Sequence, residues 1–263
     1  MPQMHIGCQT ITWGQERATK IDEIVATVAG VGYEGIEYGS RFLDLDAPEE
    51  FRALLERNEI ELAALHMGWR PGENEASETL AALDQRIEFA EVTGTPLIIV
   101  SGWPDAETVC GNLDQLQAMG RRCADAGMTL CYHNHYWEAL DDAAALRAIA
   151  DGTDPALVSF CPDIAWVRKA TKDVIGTLEI VADRVPIVHF KDYLSDDLDV
   201  NDDETEFGKG ILDFDEAFEF LRGIPSDDLW IMAEQMCSAE GLSPEESIHH
   251  DLQFLREYAE GSD

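Results

Sequence analysis

The sequence predicts a single-domain (β/α)8 TIM barrel over residues 1–263, on three observations. Eight segments of strand character recur along the 263-residue chain, a helical segment separates each from the next, and several of the strands are apolar almost throughout. Strands that alternate with helices pair in parallel, because each parallel crossover needs a helix. Strands with near-continuous apolar runs are those covered on both faces. Eight such units fit the roughly 250 residues of a (β/α)8 barrel.

The elements follow in order. MHIGCQT (4–10) is the first strand, with a helix near 20–30 behind it. YEGIEY (33–38) and a helix at 48–58 come next, then IELAALH (60–66) and a long helix at 76–93. PLIIVS (96–101) precedes a helix at 106–125, MTLCYHN (128–134) one at 141–150, and LVSFCPD (157–163) one at 171–182. VPIVHFK (185–191) precedes 213–222, and LWIMAEQ (229–235) precedes the closing helix 244–259. An open doubly wound sheet is the rival topology, but the first turn, CQTITWGQE, lacks the G-x-G-x-x-G loop that cradles a dinucleotide phosphate. The acid-rich run SDDLDVNDDETEFGKG (195–210) reads as a solvated loop, with a calcium site as its alternative.

Composition narrows the function. The chain carries 53 acidic against 18 basic residues, a formal charge of −35. Such a chain repels nucleic-acid phosphates. Its lysines are only Lys20, Lys169, Lys172, Lys191 and Lys209, and the acids are spread over helical segments. That pattern predicts a cytoplasmic protein of a salt-accumulating halophile, where the Debye length shrinks to about 3 Å at 1 M salt. No run of about 18 apolar residues marks a membrane span, and the N-terminus lacks the basic and apolar regions of a secretory signal. Cys8, Cys110, Cys123, Cys131, Cys161 and Cys237 form no C-x-x-C and read as scattered reduced thiols.

A barrel collects its chemistry at the C-terminal ends of its strands. Glu37 ends the second strand, His66 the third, His133, Asn134 and His135 the fifth, Asp163 the sixth, His189 and Lys191 the seventh, and Glu234 and Gln235 the eighth. Four of the seven histidines thus fall at one rim. Charged groups on strands buried on both faces are costly unless paired or metal-bound. Asp163, His189 and Glu234 on neighbouring strands therefore suggest a divalent-metal site, with Glu138 as the expected fourth ligand and His133 as its competitor. Mn²⁺ is the first expectation, with Mg²⁺, Co²⁺ and Zn²⁺ as alternatives. Each residue also has a plain structural role open to it. Asp163 can cap a turn after Pro162, Glu234 can pair with a Lys or Arg, His189 can be a satisfied core histidine, and Glu138 can begin the next helix. Lys191 polarises a substrate oxygen or pairs with Asp192 or Asp163. Glu37, His66 and Asn134 are expected to line the substrate pocket. Trp103 and Trp166, with Trp13, Trp69 and Trp137 near the same rim, can wall a sugar ring or pack the barrel.

YEGIE, YHNHYWE, CPDIAW, VHFKD, FGKGILDF and MAEQ, in this order and at these strand ends, resemble the xylose isomerase-like TIM barrels over nearly the whole chain. That family includes sugar and sugar-phosphate isomerases and epimerases and inosose dehydratases. The resemblance implies a metal held by Glu, Asp, His and Glu from strands five to eight, matched here by Asp163, His189 and Glu234. It departs at strand five, where many epimerases carry a glutamate and this chain places His133, and at Trp166, where many relatives have a histidine. It implies a metal-dependent isomerase or epimerase moving a proton α to the carbonyl of a keto-sugar or related polyol through an enediolate, with Glu138, Glu234, His133 and His135 as candidates for proton transfer and Lys191 as the catalytic group that polarises a substrate oxygen. An inosose dehydratase-like or 3-keto-glycoside lyase reaction by β-elimination is the alternative. A non-catalytic sugar-binding barrel, or a subunit that needs a partner, is the reading of another class. No phosphate loop appears and basic residues are scarce, which favours an unphosphorylated sugar or cyclitol; homo-oligomerisation is left open.

Overall fold

The computed structural model describes residues 1–73, 75–200, 203–236 and 241–259; Cys237 lies outside them. Eight parallel strands form the barrel: β1 (Gln3–Gln9), β2 (Gly35–Gly39), β3 (Glu61–Trp69), β4 (Leu97–Gly102), β5 (Thr129–His133), β6 (Val158–Cys161), β7 (Ile187–Phe190) and β8 (Asp228–Ala233). Their order is β6-β5-β4-β3-β2-β1-β8-β7. A parallel bridge between Asp163 and His189 joins the two outer strands, and the His189 N–H donates to the Pro162 carbonyl at 2.9 Å.

Residues two apart on a strand share a face, and this period explains the barrel interior. Ile187, Leu97 and Ile99, Cys131, Cys161 and Met232 form an apolar plug inside the strands, with Trp230 packed against it. The approach is close: a Cβ on Gly35 would lie 2.6 Å from the Trp230 ring, so this position takes only hydrogen. One step of two further along the same strands, the inward positions turn polar: Glu37 after Gly35, Ser101 after Ile99, His133 after Cys131, Asp163 after Cys161, His189 after Ile187 and Glu234 after Met232. The larger apolar layer lies between the strands and the surrounding helices.

Most predicted helices are present, with three shifts. The segment at 106–125 divides into Ala106–Cys110 and Leu113–Asp125. The fifth-strand helix spans Tyr136–Asp151, and that after the sixth is Ile164–Ala170 followed by Val174–Leu178. Both start directly at their strand ends because a cap is already there. Asp163 accepts the Trp166 N–H at 2.9 Å, and Glu138 reaches back to the His135 N–H at 2.9 Å. Asp163, at its strand end, and Glu138, in the first turn of the next helix, thus take the structural roles that the sequence left open to them. The acid run is also not a plain solvated loop. Glu204–Thr205 pairs antiparallel with Asp192–Tyr193, Asp203 bonds Lys169, and Glu204 accepts the Met236 N–H at 2.6 Å. The Asp192 carboxylate takes N–H bonds from Tyr193, Gly208, Gly210 and Leu212, which fixes this excursion to the end of β7.

Candidate active site

The polar inward positions form one connected network. Glu37, fully buried, accepts from two histidines: Oε1 from His66 Nδ1 at 2.8 Å and Oε2 from His189 Nε2 at 2.6 Å. His66 Nε2 is left to accept from the Ser101 hydroxyl, and His189 Nδ1 bonds Glu234 Oε2. Lys191 Nζ bridges two carboxylates, 3.1 Å from Asp163 Oδ2 and 3.0 Å from Glu234 Oε1. Lys191 thus pairs with Asp163, the partner expected as one alternative, and not with Asp192.

Burial sets the protonation states, and the neighbours correct it. Burial pushes the Glu234 carboxyl up, but Lys191 and His189 outweigh it and hold it well below the usual carboxylate range. Burial lifts Asp163 to about 6, with Lys191 opposing and Glu234 adding to the rise. For His189, burial disfavours the charged ring, yet the carboxylates of Glu37 and Glu234 raise its pKa well above the ordinary value, and an imidazolium between two carboxylates results. His133 goes the other way: burial first, then the charge of His189, keeps it neutral. His135 is neutral for the same first reason, with Lys191 second, and falls to about 3.

Among the described residues, His133, Asp163, His189 and Glu234 each offer a ligand atom within 4.8 Å of the others. His133 Nδ1 is buried without a hydrogen-bond partner. Two imidazole nitrogens and two carboxylate oxygens form a donor set that fits a first-row divalent ion such as Mn²⁺, Co²⁺ or Zn²⁺. Cys161 joins His133 and His189 in a second grouping, but burial lifts its thiol to about 11 and leaves it protonated.

At strand five this grouping takes His133, the competitor, and not the expected Glu138. Glu138 is not in the group. Its Oε1 accepts the Tyr132 hydroxyl at 2.6 Å and its Oε2 the His135 N–H, so both oxygens serve the start of the helix. His133 takes its place because it is the inward residue of β5, two positions beyond Cys131. Asn134 is a brace and not part of the cavity wall: its Oδ1 accepts the Asp163 N–H at 3.1 Å and its Nδ2 donates to the His135 carbonyl at 3.2 Å. Glu37 lies beneath the cavity as the anchor of His66 and His189.

Above the network opens a cavity of about 490 Å³, whose wall includes His66, His133, His135, Lys191, Glu234, Trp103 and Trp166. Trp103 meets His135 edge-on at 4.6 Å, and Trp166 tilts against Tyr193 at 4.9 Å. Trp69 is buried and bonds Gln115, so it packs the rim. The sequence reading missed Gln9 and Ser101, the inward residues ending β1 and β4, although the same step of two from Gly7 and Ile99 locates both. It also missed Arg17, Arg41, Arg70 and Arg86, which line the cavity despite the scarcity of basic residues overall.

A family model described as "Xylose isomerase-like TIM barrel" matches residues 25–258. The inosose dehydratase of Lacticaseibacillus casei is 21% identical, over 88% of this chain and 89% of its own length. The solved structure of the IOLI protein with a binding zinc atom superposes with a TM-score of 0.79 at 15% identity, covering 97% of this chain and 98% of that one. That of D-psicose 3-epimerase in the presence of D-fructose gives 0.74 at 16% identity, covering 98% and 100%.

Proposed function

The chain belongs to the xylose isomerase-like TIM barrel family, and from that premise we propose that it is a divalent-metal-dependent enzyme that moves a proton on the carbon beside the carbonyl of a keto-sugar or related polyol, giving isomerisation or epimerisation. The observation that carries this reading is the convergence of His133, Asp163, His189 and Glu234 at the foot of a cavity large enough for a sugar. These four residues would hold the ion, and Glu37 would keep the far nitrogen of His189 oriented, as outer carboxylates do for metal-bound histidines. The bound ion supplies Lewis-acid polarisation of a substrate carbonyl.

The chain's own groups provide the rest. His135 lines the cavity as a neutral ring with its Nδ1 unpartnered, so it can accept a hydrogen bond from a substrate hydroxyl, while its low pKa makes it a weak base at neutral pH. Lys191 presents a fixed ammonium beside Glu234 and favours negative charge developing on a substrate oxygen. Trp103 and Trp166 supply apolar walls for the substrate carbons. A second reading is β-elimination of water, favoured by the whole-length similarity to an inosose dehydratase. It begins with the same proton removal and differs in what then leaves.

Metal content by mass spectrometry, with proton exchange from deuterated water on a panel of keto-sugars and inososes, tests the proposal. Wild type and Glu138→Gln should carry one divalent ion per chain, and His133→Ala should bind it more weakly by about tenfold or more. Exchange without loss of water supports isomerase chemistry; loss of water supports the dehydratase reading. A wild type that binds no metal after Mn²⁺ is added sinks both.

A further inference from the structure

The cavity wall reverses the charge of the chain. Overall, acids outnumber bases 53 to 18. Along this wall the basic residues are Arg17, Arg41, Arg70, Arg86 and Lys191, and Glu234 is the acidic one. Lys191 is already committed to Asp163 and Glu234, and Arg70 lies 3.1 Å from Glu73. Arg17, Arg41 and Arg86 have no carboxylate within ion-pair distance among the described residues. Their distinction is their place, since all three line this one cavity.

The three are positioned rather than loose. Arg17 is buried, and its Nε donates to the Gly14 carbonyl at 2.7 Å. Arg86 reaches from the helix Ala76–Thr93 to donate its Nε to the Ser40 hydroxyl at 3.1 Å and an Nη to the Ala82 carbonyl at 2.7 Å. Arg17 and Arg41 both rest on the ring of Phe42, with guanidinium carbons 4.1 and 4.6 Å from its centroid. Two like charges sharing one ring repel each other. Burial and then Arg41 lower the Arg17 pKa to about 10, which still leaves it charged at neutral pH. Such an arrangement is costly until an anion sits among the guanidiniums, and planar guanidinium forks match carboxylate and phosphate oxygens.

These residues come from the segments after β1 and β2 and from the helix after β3, whereas the ligand group comes from β5 to β8. We propose that Arg17, Arg41 and Arg86, with the Ser40 hydroxyl, form an anion subsite facing the ligand group across the cavity, so that the substrate is a keto-sugar or polyol bearing a carboxylate or a phosphate ester. The proposal rests on the reading above for the sugar portion only; the anion subsite itself stands on the arginines. It replaces the expectation of an uncharged substrate, which rested on the scarcity of bases in the whole chain.

The test is calorimetric titration of the metal-loaded protein at fixed ionic strength with two probes, inorganic phosphate and lactate, on wild type, Arg41→Gln and Arg86→Gln. Saturable binding of either probe, weakened about tenfold in Arg41→Gln, supports the subsite, since one charge-assisted contact of this kind is worth about that factor; the tighter probe identifies the substituent. Arg41 is exposed, so its variant decides the question even if Arg86→Gln folds poorly. No binding of either probe, or equal affinity in wild type and Arg41→Gln, overturns it. Proton exchange is read in parallel on neutral keto-sugars and on their phosphorylated and carboxylated counterparts. Exchange without anion binding retires the subsite and leaves the enzyme reading standing, and anion binding without exchange on any of these substrates does the reverse.

Discussion

Lys191→Met is the substitution whose consequence follows most directly from the site. The Lys191 ammonium lies 3.1 Å from Asp163 and 3.0 Å from Glu234, and all three side chains are at most 5% exposed. Methionine keeps the apolar stem and removes the charge, leaving two buried carboxylates facing each other. Breaking a buried pair by deleting one partner costs about 3–5 kcal/mol. At about 2–4 °C per kcal/mol for a chain of this size, the metal-free variant should melt about 6–20 °C below wild type. A divalent ion held by Asp163 and Glu234 supplies the missing positive charge. Saturating metal at a thousand times its Kd adds about 4 kcal/mol to wild type. In the variant the metal-induced rise should be larger, by most of the 3–5 kcal/mol lost without metal.

The assay is thermal unfolding of both proteins in molar salt, once with chelator and once with Mn²⁺. The distinguishing quantity is the difference between the two metal-induced shifts. If Lys191→Met melts with wild type in chelator, the ammonium is not the counter-charge the geometry makes it. If the variant is weaker by the same amount with and without Mn²⁺, the ion is not bound by these two carboxylates.

Three other outcomes are expected. Burial lifts the Glu138 carboxyl to about 7 despite the Tyr132 and His135 bonds, against 4.5 for a free glutamate. Its neutral form is therefore the one folding favours, so its contribution is full below pH 4.5 and is lost as pH rises through 7, about 3 kcal/mol in all. Denaturant titrations across that range should show the loss in wild type and a flatter profile in Glu138→Gln; equal slopes would contradict the assignment. Gly210→Ala would place a Cβ 2.2 Å from Asp192 Oδ1 and disturb the four N–H bonds that hold the excursion after β7, at about 1–3 kcal/mol by chemical denaturation. Gly35→Ala, facing the Trp230 ring, should lose a similar amount, and Gly35→Ala with Trp230→Phe should recover part of it; additive losses would show that the two do not meet.

The barrel was legible because its signals are periodic and local. Strand and helix alternate eight times, and runs such as LIIVS state burial on both faces directly. The boundaries that moved are those where a single cap outweighed the periodic pattern. Asp163 and the His135–Glu138 pair start helices at the strand ends, and a window tuned to apolar spacing passes over them. That same local chemistry occupies both Glu138 oxygens and leaves the residue outside the candidate grouping. Its carboxylate looked available in YHNHYWE because sequence does not show which N–H and O–H groups a helix start consumes. The period of two along β5 carried the better information: counting from Cys131 leads to His133, and counting from Ile99 and Gly7 leads to Ser101 and Gln9.

The arginines were invisible for a different reason. Net charge is a sum over the surface, and a binding site is a small part of that surface. Arg17, Arg41 and Arg86 are separated by up to 69 positions and sit on a 3-10 segment, a short turn and the flank of a long helix. Only folding brings them to one wall. An acidic chain does not argue against an anionic substrate, because the charge of a pocket is set by its own lining. Arginines without a carboxylate partner occur elsewhere among the described residues of this chain; what sets Arg17, Arg41 and Arg86 apart is that all three line one cavity, opposite a ligand cluster, where an anion from outside the chain can meet them together. The negative surface repels anions at a distance while the pocket attracts them at contact, so molar salt, by screening the first over a few ångströms, should speed entry of an anion more than it weakens the close contacts that hold it. Association rates of the tighter anion probe that fall steeply as potassium chloride rises would count against that division between surface and pocket.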